Sequence, residues 1–209
     1  MKKNKFPKFD KRHLFAVVVL LLSCSIYAQE NPLRHSIKGG VGLFFDKQSH
    51  NKETGLSLSL GYGLAYRLNS QWSIGTGLTL REEMLSPFNS KDGGGDEAFT
   101  FLDLPLTLQN HLPVGKQGMI TFTLGPVFTF CIGNDQYVNS PDNPIVELRG
   151  KDMLKTFDLG IQPAITYETN HLQLGIEGNI GLLNVGENYG LPLGKHRISS
   201  LRATIGYCF

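Results

Sequence analysis

The chain has 209 residues, 41% of them hydrophobic and 18% charged, with a formal net charge of +2. That is too apolar for a disordered segment, and so small a charge offers nucleic acid no electrostatic handle. No apolar run approaches the roughly 18 residues that a membrane-spanning helix needs.

The first 28 residues read as an export address. Lys2, Lys3, Lys5, Lys8, Lys11 and Arg12 precede an apolar run from Leu14 to Leu22, and Ser25-Ile26-Tyr27-Ala28 ends on a small residue. This order is that of a secretory signal peptide, with cleavage expected after Ala28. A rival reading takes Leu21-Leu22-Ser23-Cys24 as a lipoprotein box that leaves a lipidated Cys24. Six of the 20 basic residues and one of the 18 acids fall in the leader, so residues 29–209 carry three more acids than bases.

From residue 29 onward the dominant signal has period two, and one all-β domain is expected over 29–209. In Gly55–Leu68 the even positions are Leu56, Leu58, Leu60, Tyr62, Leu64, Tyr66 and Leu68; Ser57, Ser59, Gly61, Gly63, Ala65 and Arg67 stand between them. Such alternation sends the two sets to opposite faces of a strand. Eight stretches follow this rule: His35–Asp46, Gly55–Leu68, Gln71–Met84, Phe99–Asn110, Gln117–Ile132, Leu154–Thr169, His171–Asn184 and Arg197–Phe209. Most exceed the roughly 9–11 residues that a tilted strand needs to cross a bilayer.

The second face decides the fold. A soluble lipocalin-like barrel would turn its leucines inward and show water a face rich in charges. Here the alternate face is mostly Gly, Ser, Thr and Ala, which suits a narrow closed lumen with the leucines outside. The expectation is an eight-stranded antiparallel up-and-down transmembrane β-barrel, in which closure pairs every backbone amide. The connections alternate in length. Short turns lie at Asn69-Ser70, His111–Lys116 and Asn170, while Lys47–Thr54, Leu85–Ala98, Gly133–Met153 and Val185–His196 are long. In an outer-membrane barrel the short turns, and here both termini, face the periplasm. Tyr66, Trp72, Tyr167, Tyr207 and Phe209 would form a girdle at that end, and Phe45, Phe130 and Phe157 one at the other. The terminal Phe209 also has the form of a signal for the barrel-assembly machinery. Phe99 and Phe101 fall out of phase with Leu102, Leu104 and Leu106, which a bulge near Phe101 would accommodate.

The inward phase carries Lys38, Arg67, Arg81 and Arg202 against Glu83, Asp103, Asp158, Glu168 and Glu177. Counted from the turns they form three layers: Lys38, Arg67 and Glu168; then Asp103, Glu177 and Arg202; then Arg81, Glu83 and Asp158. Each layer mixes signs, and Glu177 and Arg202 lie on neighbouring strands. Confined charges must pair or stay wet, so the set is read as a polar plug rather than an ion path or a catalytic carboxylate pair. Cys131 and Cys208 map to opposite ends, and no disulfide is expected. Asp92-Gly93-Gly94-Gly95-Asp96-Glu97 holds carboxylates among flexible glycines but lacks the ligand spacing of an EF-hand. It is read as a solvated loop tip, with no metal and no cofactor implied. Of the histidines, His35, His111 and His171 fall at the turn end and His50 and His196 in loops, so no Ser-His-carboxylate set emerges and no enzyme is expected.

Four stretches resemble one family. Phe101-Leu102-Asp103-Leu104-Pro105-Leu106 is similar to its Y-L-x-I-P-L strand, and Leu124-Gly125-Pro126 to the G-P strand that follows. Phe157-Asp158-Leu159-Gly160-Ile161 is similar to the F-D-x-G start of its sixth strand, and Gly181-Leu182-Leu183-Asn184-Val185 to the G-L-x-N-I end of its seventh. In order and after a leader, they resemble the PorT-like outer-membrane β-barrel proteins of Gram-negative bacteria over most of residues 29–209. The resemblance implies an eight-stranded barrel in the outer membrane and, for most members, no known activity; one branch is linked to protein secretion and gliding. The expected role is structural or one of binding an extracellular ligand through loops 85–98 and 133–153, with outer-membrane lipid as the surrounding partner. The alternatives are a small porin-like passive pore and an accessory component of protein secretion.

Overall fold

A computed structural model describes residues 32–47, 52–85, 96–140, 143–148, 155–186 and 197–209. The expected leader, Cys24 and the Asp92–Gly95 portion of the second long loop lie outside them. In chain order the strands are β1 (Leu33–Lys47), β2 (Lys52–Arg67), β3 (Trp72–Leu85), β4 (Asp96–Val114), β5 (Gly118–Leu124), β6 (Pro126–Ser140), β7 (Asn143–Leu148), β8 (Phe157–Ile161), β9 (Ala164–Thr169), β10 (Leu172–Gly181) and β11 (Arg197–Cys208).

Each strand pairs antiparallel with its neighbour, and β11 returns to β1 with Ser36 opposite Cys208 and Lys47 opposite Arg197. The sheet therefore closes. The ring has eight staves, because β5 with β6 forms the fifth and β8 with β9 the sixth: β4 pairs with both β5 and β6, and β10 with both β9 and β8. The fifth stave breaks at Gly125 and the sixth at Gln162-Pro163. Proline cannot donate to a ladder, and Pro105, Pro126 and Pro163 stand on three adjacent staves. Remaining donors stitch the breaks: Gln162 N gives a 2.8 Å bond to Gly125 O and Gly178 N one of 2.8 Å to Pro163 O. Glycine is required at Gly125, where a Cβ would sit 2.1 Å from Leu106 O.

The short turns cluster with the first and last described residues, Pro32 and Phe209, at one end of the barrel, here the hairpin end. Asn69 Oδ1 accepts from Gln71 N at 2.8 Å and Trp72 N at 2.9 Å, closing the β2–β3 turn. Asn170 and His171 both have positive φ, 46° and 73°, the two-residue geometry that matches strand twist in a tight hairpin. His171 thus belongs to the turn, and the seventh stave begins at Leu172.

The apolar side is outside. Leu60, Ile176 and Ile205 are 64%, 58% and 58% exposed, whereas Glu83, Arg202 and Arg81 are at most 2% exposed. A soluble barrel would reverse those figures. Tyr66, Trp72, Tyr167 and Tyr207 lie on the outer face at the hairpin end, with Phe209 edge-on to Tyr207, their rings 5.1 Å apart. Phe45, Phe130 and Phe157 lie near the opposite, loop end.

The irregularity expected near Phe101 is present, and one other sequence expectation needs correction. Phe99 and Phe101 share the phase of Asp103 and point inward, each 4% exposed. The β4–β6 register does shift between Thr100 and Phe101, with Ile132 as the extra residue, but the shift leaves both rings inside. They break the polar pattern because the loop end of the lumen is apolar. The connection 133–153 is also not wholly a loop. β6 continues to Ser140, and β7 folds back on it with Ser140 opposite Asn143. Tyr137, Val138, Ile145 and Val146 give that segment strand-forming character.

Candidate functional site in the barrel lumen

The lumen is built in three levels. At the loop end Phe44, Phe99, Phe101, Val185 and Ile198 are buried together, with Cys131 packed against them. Phe44 to Phe99 and Phe99 to Phe101 ring centroids are each 6.3 Å apart. These side chains come from the inward phase of β1, β4 and β11 and from Val185 after β10, so they form a lid across the bore.

Below the lid lies the first charge cluster. Arg81 on β3 donates Nε to Asp103 Oδ2 at 2.7 Å and Nη2 to Oδ1 at 3.2 Å, and Nη1 to Glu83. The fork geometry of guanidinium suits this two-toothed grip. Its carbon also sits 4.6 Å from the Phe101 ring centroid, so the cation joins the lid to the charges. Asp103 further accepts from Thr129 Oγ1 at 2.7 Å and Asn179 Nδ2 at 3.4 Å, and Glu83 from Ser57 Oγ at 3.2 Å. A second cluster follows. Arg202 on β11 donates to Glu177 Oε1 at 2.9 Å and to Ser200 Oγ at 2.8 Å, while Lys38 from β1 grips the other Glu177 oxygen. Partnering of this kind offsets the cost of taking charges out of water.

On the hairpin side of Glu177 the lumen holds a cavity of about 110 Å³. Its wall includes Thr79, Thr107, Thr121, Thr123 and Gln162, and it reaches Arg34, Glu168 and Cys208 near the rim. Gln162 is buried, and its Oε1 has no partner among the described residues. The cavity is well above the roughly 10–15 Å³ that one water needs, so water can enter and satisfy it. Arg81, Glu83 and Asp103 do not line this cavity. On their far side a pocket of only about 10 Å³ lies among Arg81, Phe101, Asp158 and Ile198.

The layers expected from sequence are redistributed. Lys38 reaches up to Glu177, Asp103 joins Arg81 and Glu83, and Glu168 pairs with Arg34 and accepts from Gln173 at 3.0 Å. Asp158 has no salt bridge among the described residues; it accepts from Leu183 N at 3.2 Å. Arg67, the last residue of β2, is exposed and joins no salt bridge among the described residues. Arg34, absent from the expected set, takes the rim position; it shares the phase of Lys38, which is the signal that could have found it.

One further group was not foreseen. His111 Nε2 lies 2.8 Å from Ser73 Oγ and its Nδ1 lies 2.9 Å from Thr121 Oγ1. A serine beside an imidazole resembles a nucleophile and base. However, Ser73 is wholly buried and the second nitrogen meets a threonine rather than a carboxylate. Cys131 and Cys208 are free thiols at opposite ends. Among the described residues no group of three or more His, Cys, Asp or Glu is placed to hold a metal.

A closed antiparallel barrel of eight staves, apolar outside and salt-bridged within, defines the class of this protein. Its fold is similar to that of Neisserial surface protein A, with a TM-score of 0.52 and 12% identity over 84% of this chain and 97% of that one. Ail, the attachment invasion locus protein of Yersinia pestis, gives a TM-score of 0.46 at 10% identity, covering 84% of this chain and 98% of that one. The outer membrane enzyme PagL gives 0.47 at 10%, covering 82% and 98%. At such identities the likeness is one of fold. No protein-family model and no curated protein matches the sequence.

Proposed function

We propose that the chain is an integral protein of the bacterial outer membrane, exported by a leader cut after Ala28, with its termini and short turns in the periplasm. Its lumen is a plug rather than a conduit. Its role is structural or is exerted on an extracellular ligand through segments 85–98 and 133–153. The terminal Phe209, outward and against Tyr207, is the element offered to the assembly machinery. The observation that carries this reading is the inversion of burial: arginine and glutamate inside, leucine and isoleucine outside. A closed ladder with such an exterior is stable only where hydrocarbon surrounds it.

The PorT-like resemblance agrees with this reading and adds protein secretion as a second role to test. Cell fractionation combined with gel migration before and after boiling tests location. A heat-modifiable band in the outer-membrane fraction is expected, and a soluble periplasmic species would refute it. Loss of secreted proteins on deletion of the gene would favour the secretion role.

A further inference from the structure

The outer face of the loop end carries cations in direct register. Lys47 closes β1 opposite Arg197 of β11 and opposite Lys52 of β2. Lys47 and Arg197 are exposed and share the phase of Leu43 and Leu201, so both point away from the lumen. Directly opposed residues in an antiparallel pair have Cβ atoms about 5 Å apart, and like charges there repel. Neither cation has a salt bridge among the described residues. The outward acid on the neighbouring stave, Glu82, lies opposite Leu58, well below Lys52 along β2. Immediately beneath the row the same staves present Leu43, Phe45, Leu56 and Leu201, each 36–51% exposed. Two outward cations with no salt bridge among the described residues, on top of an apolar wall, fit a ligand built the same way: an anionic head with hydrocarbon below it.

We infer that the Lys47–Arg197 pair is a docking site for a phosphorylated membrane lipid, its phosphate lying over the two cations and its acyl chains against Leu43, Leu56 and Leu201. The anion supplies the countercharge that the pair lacks among the described residues. The inference rests on the membrane reading above, yet the two fail separately. Failure of that reading shows as loss from the outer-membrane fraction, and failure of this one as absence of headgroup selectivity in the purified protein.

The test is native mass spectrometry of the folded, full-length protein in an uncharged detergent, with phosphatidic acid and phosphatidylcholine of identical chains added in equal amounts. Wild type should retain phosphatidic acid at least about fivefold better, since each basic residue at an anionic lipid surface contributes roughly that factor. Lys47→Gln with Arg197→Gln should abolish the preference, and Lys47→Arg with Arg197→Lys should keep it. Equal retention of the two lipids, or a preference that survives the double glutamine variant, would overturn the inference. So would displacement of the lipid by millimolar inorganic phosphate, which would mark a site for any small anion. Boiling-dependent gel migration reports whether each variant has folded, and should the glutamine variant not fold, the wild-type lipid comparison alone decides.

Discussion

Arg81 is the residue on which the plug turns. It touches two carboxylates and an aromatic ring, and all of them are buried. Replacing it with methionine keeps the volume and strands Glu83 and Asp103 without a cation. Removing one partner from a buried ionic set typically costs about 3–5 kcal/mol. We expect Arg81→Met to lower the urea midpoint of the barrel in lipid vesicles by an amount of that order. Arg34→Gln, at the partly exposed rim where water screens the pair with Glu168, should cost at most about 1 kcal/mol. Glycine is needed at Gly42 for a different reason. A Cβ there would lie 2.0 Å from Leu201 O and 2.6 Å from Arg202 Cα, both backbone atoms that cannot swing aside. Gly42→Val should therefore destabilise by about 1–3 kcal/mol, as overpacking does, and the same urea titration reads it. Parity alone showed which residues face the lumen. It did not show which cation meets which carboxylate, because Lys38 and Arg81 are long enough to reach beyond their own layer. Arg67 illustrates the limit: it stands in the inward phase, but at the end of β2 it is exposed and joins no salt bridge among the described residues.

At the level of the elements, period two located all eight staves, since no other structure sends leucine and serine to opposite sides so regularly. The breaks at Gly125 and Gln162-Pro163 escaped because alternation continues through them: Thr123, Val127 and Thr129 stay inward across the first. Phe99 and Phe101 stand out of phase with the leucines of their strand for a different reason. The lumen is not polar along its whole length, and Phe44, Phe99 and Phe101 make its loop end apolar. The β9–β10 hairpin offers a sharp test. Asn170 holds φ at 46°, a region that a β-branched residue enters at a cost of about 1–2 kcal/mol. Asn170→Val should lower the urea midpoint accordingly, and Asn170→Gly should leave it nearly unchanged.

Among the described residues two layers stand in series in the bore, the phenylalanine lid and the Arg81–Glu83–Asp103 cluster, and on the proposed reading they close it. The purified protein should carry no steady single-channel current across a planar bilayer. Sustained, uniform current steps would put the alternative porin-like reading ahead of the plug. Everything else depends on the orientation of the outer face. The most direct test attaches a fluorophore through a cysteine at Leu60, in the middle of β2, in vesicles containing phospholipids brominated on their acyl chains. Strong quenching by the brominated chains, with little by aqueous iodide, is the expected result. Quenching by iodide alone would mean that this face meets water, and the membrane barrel would have to be abandoned.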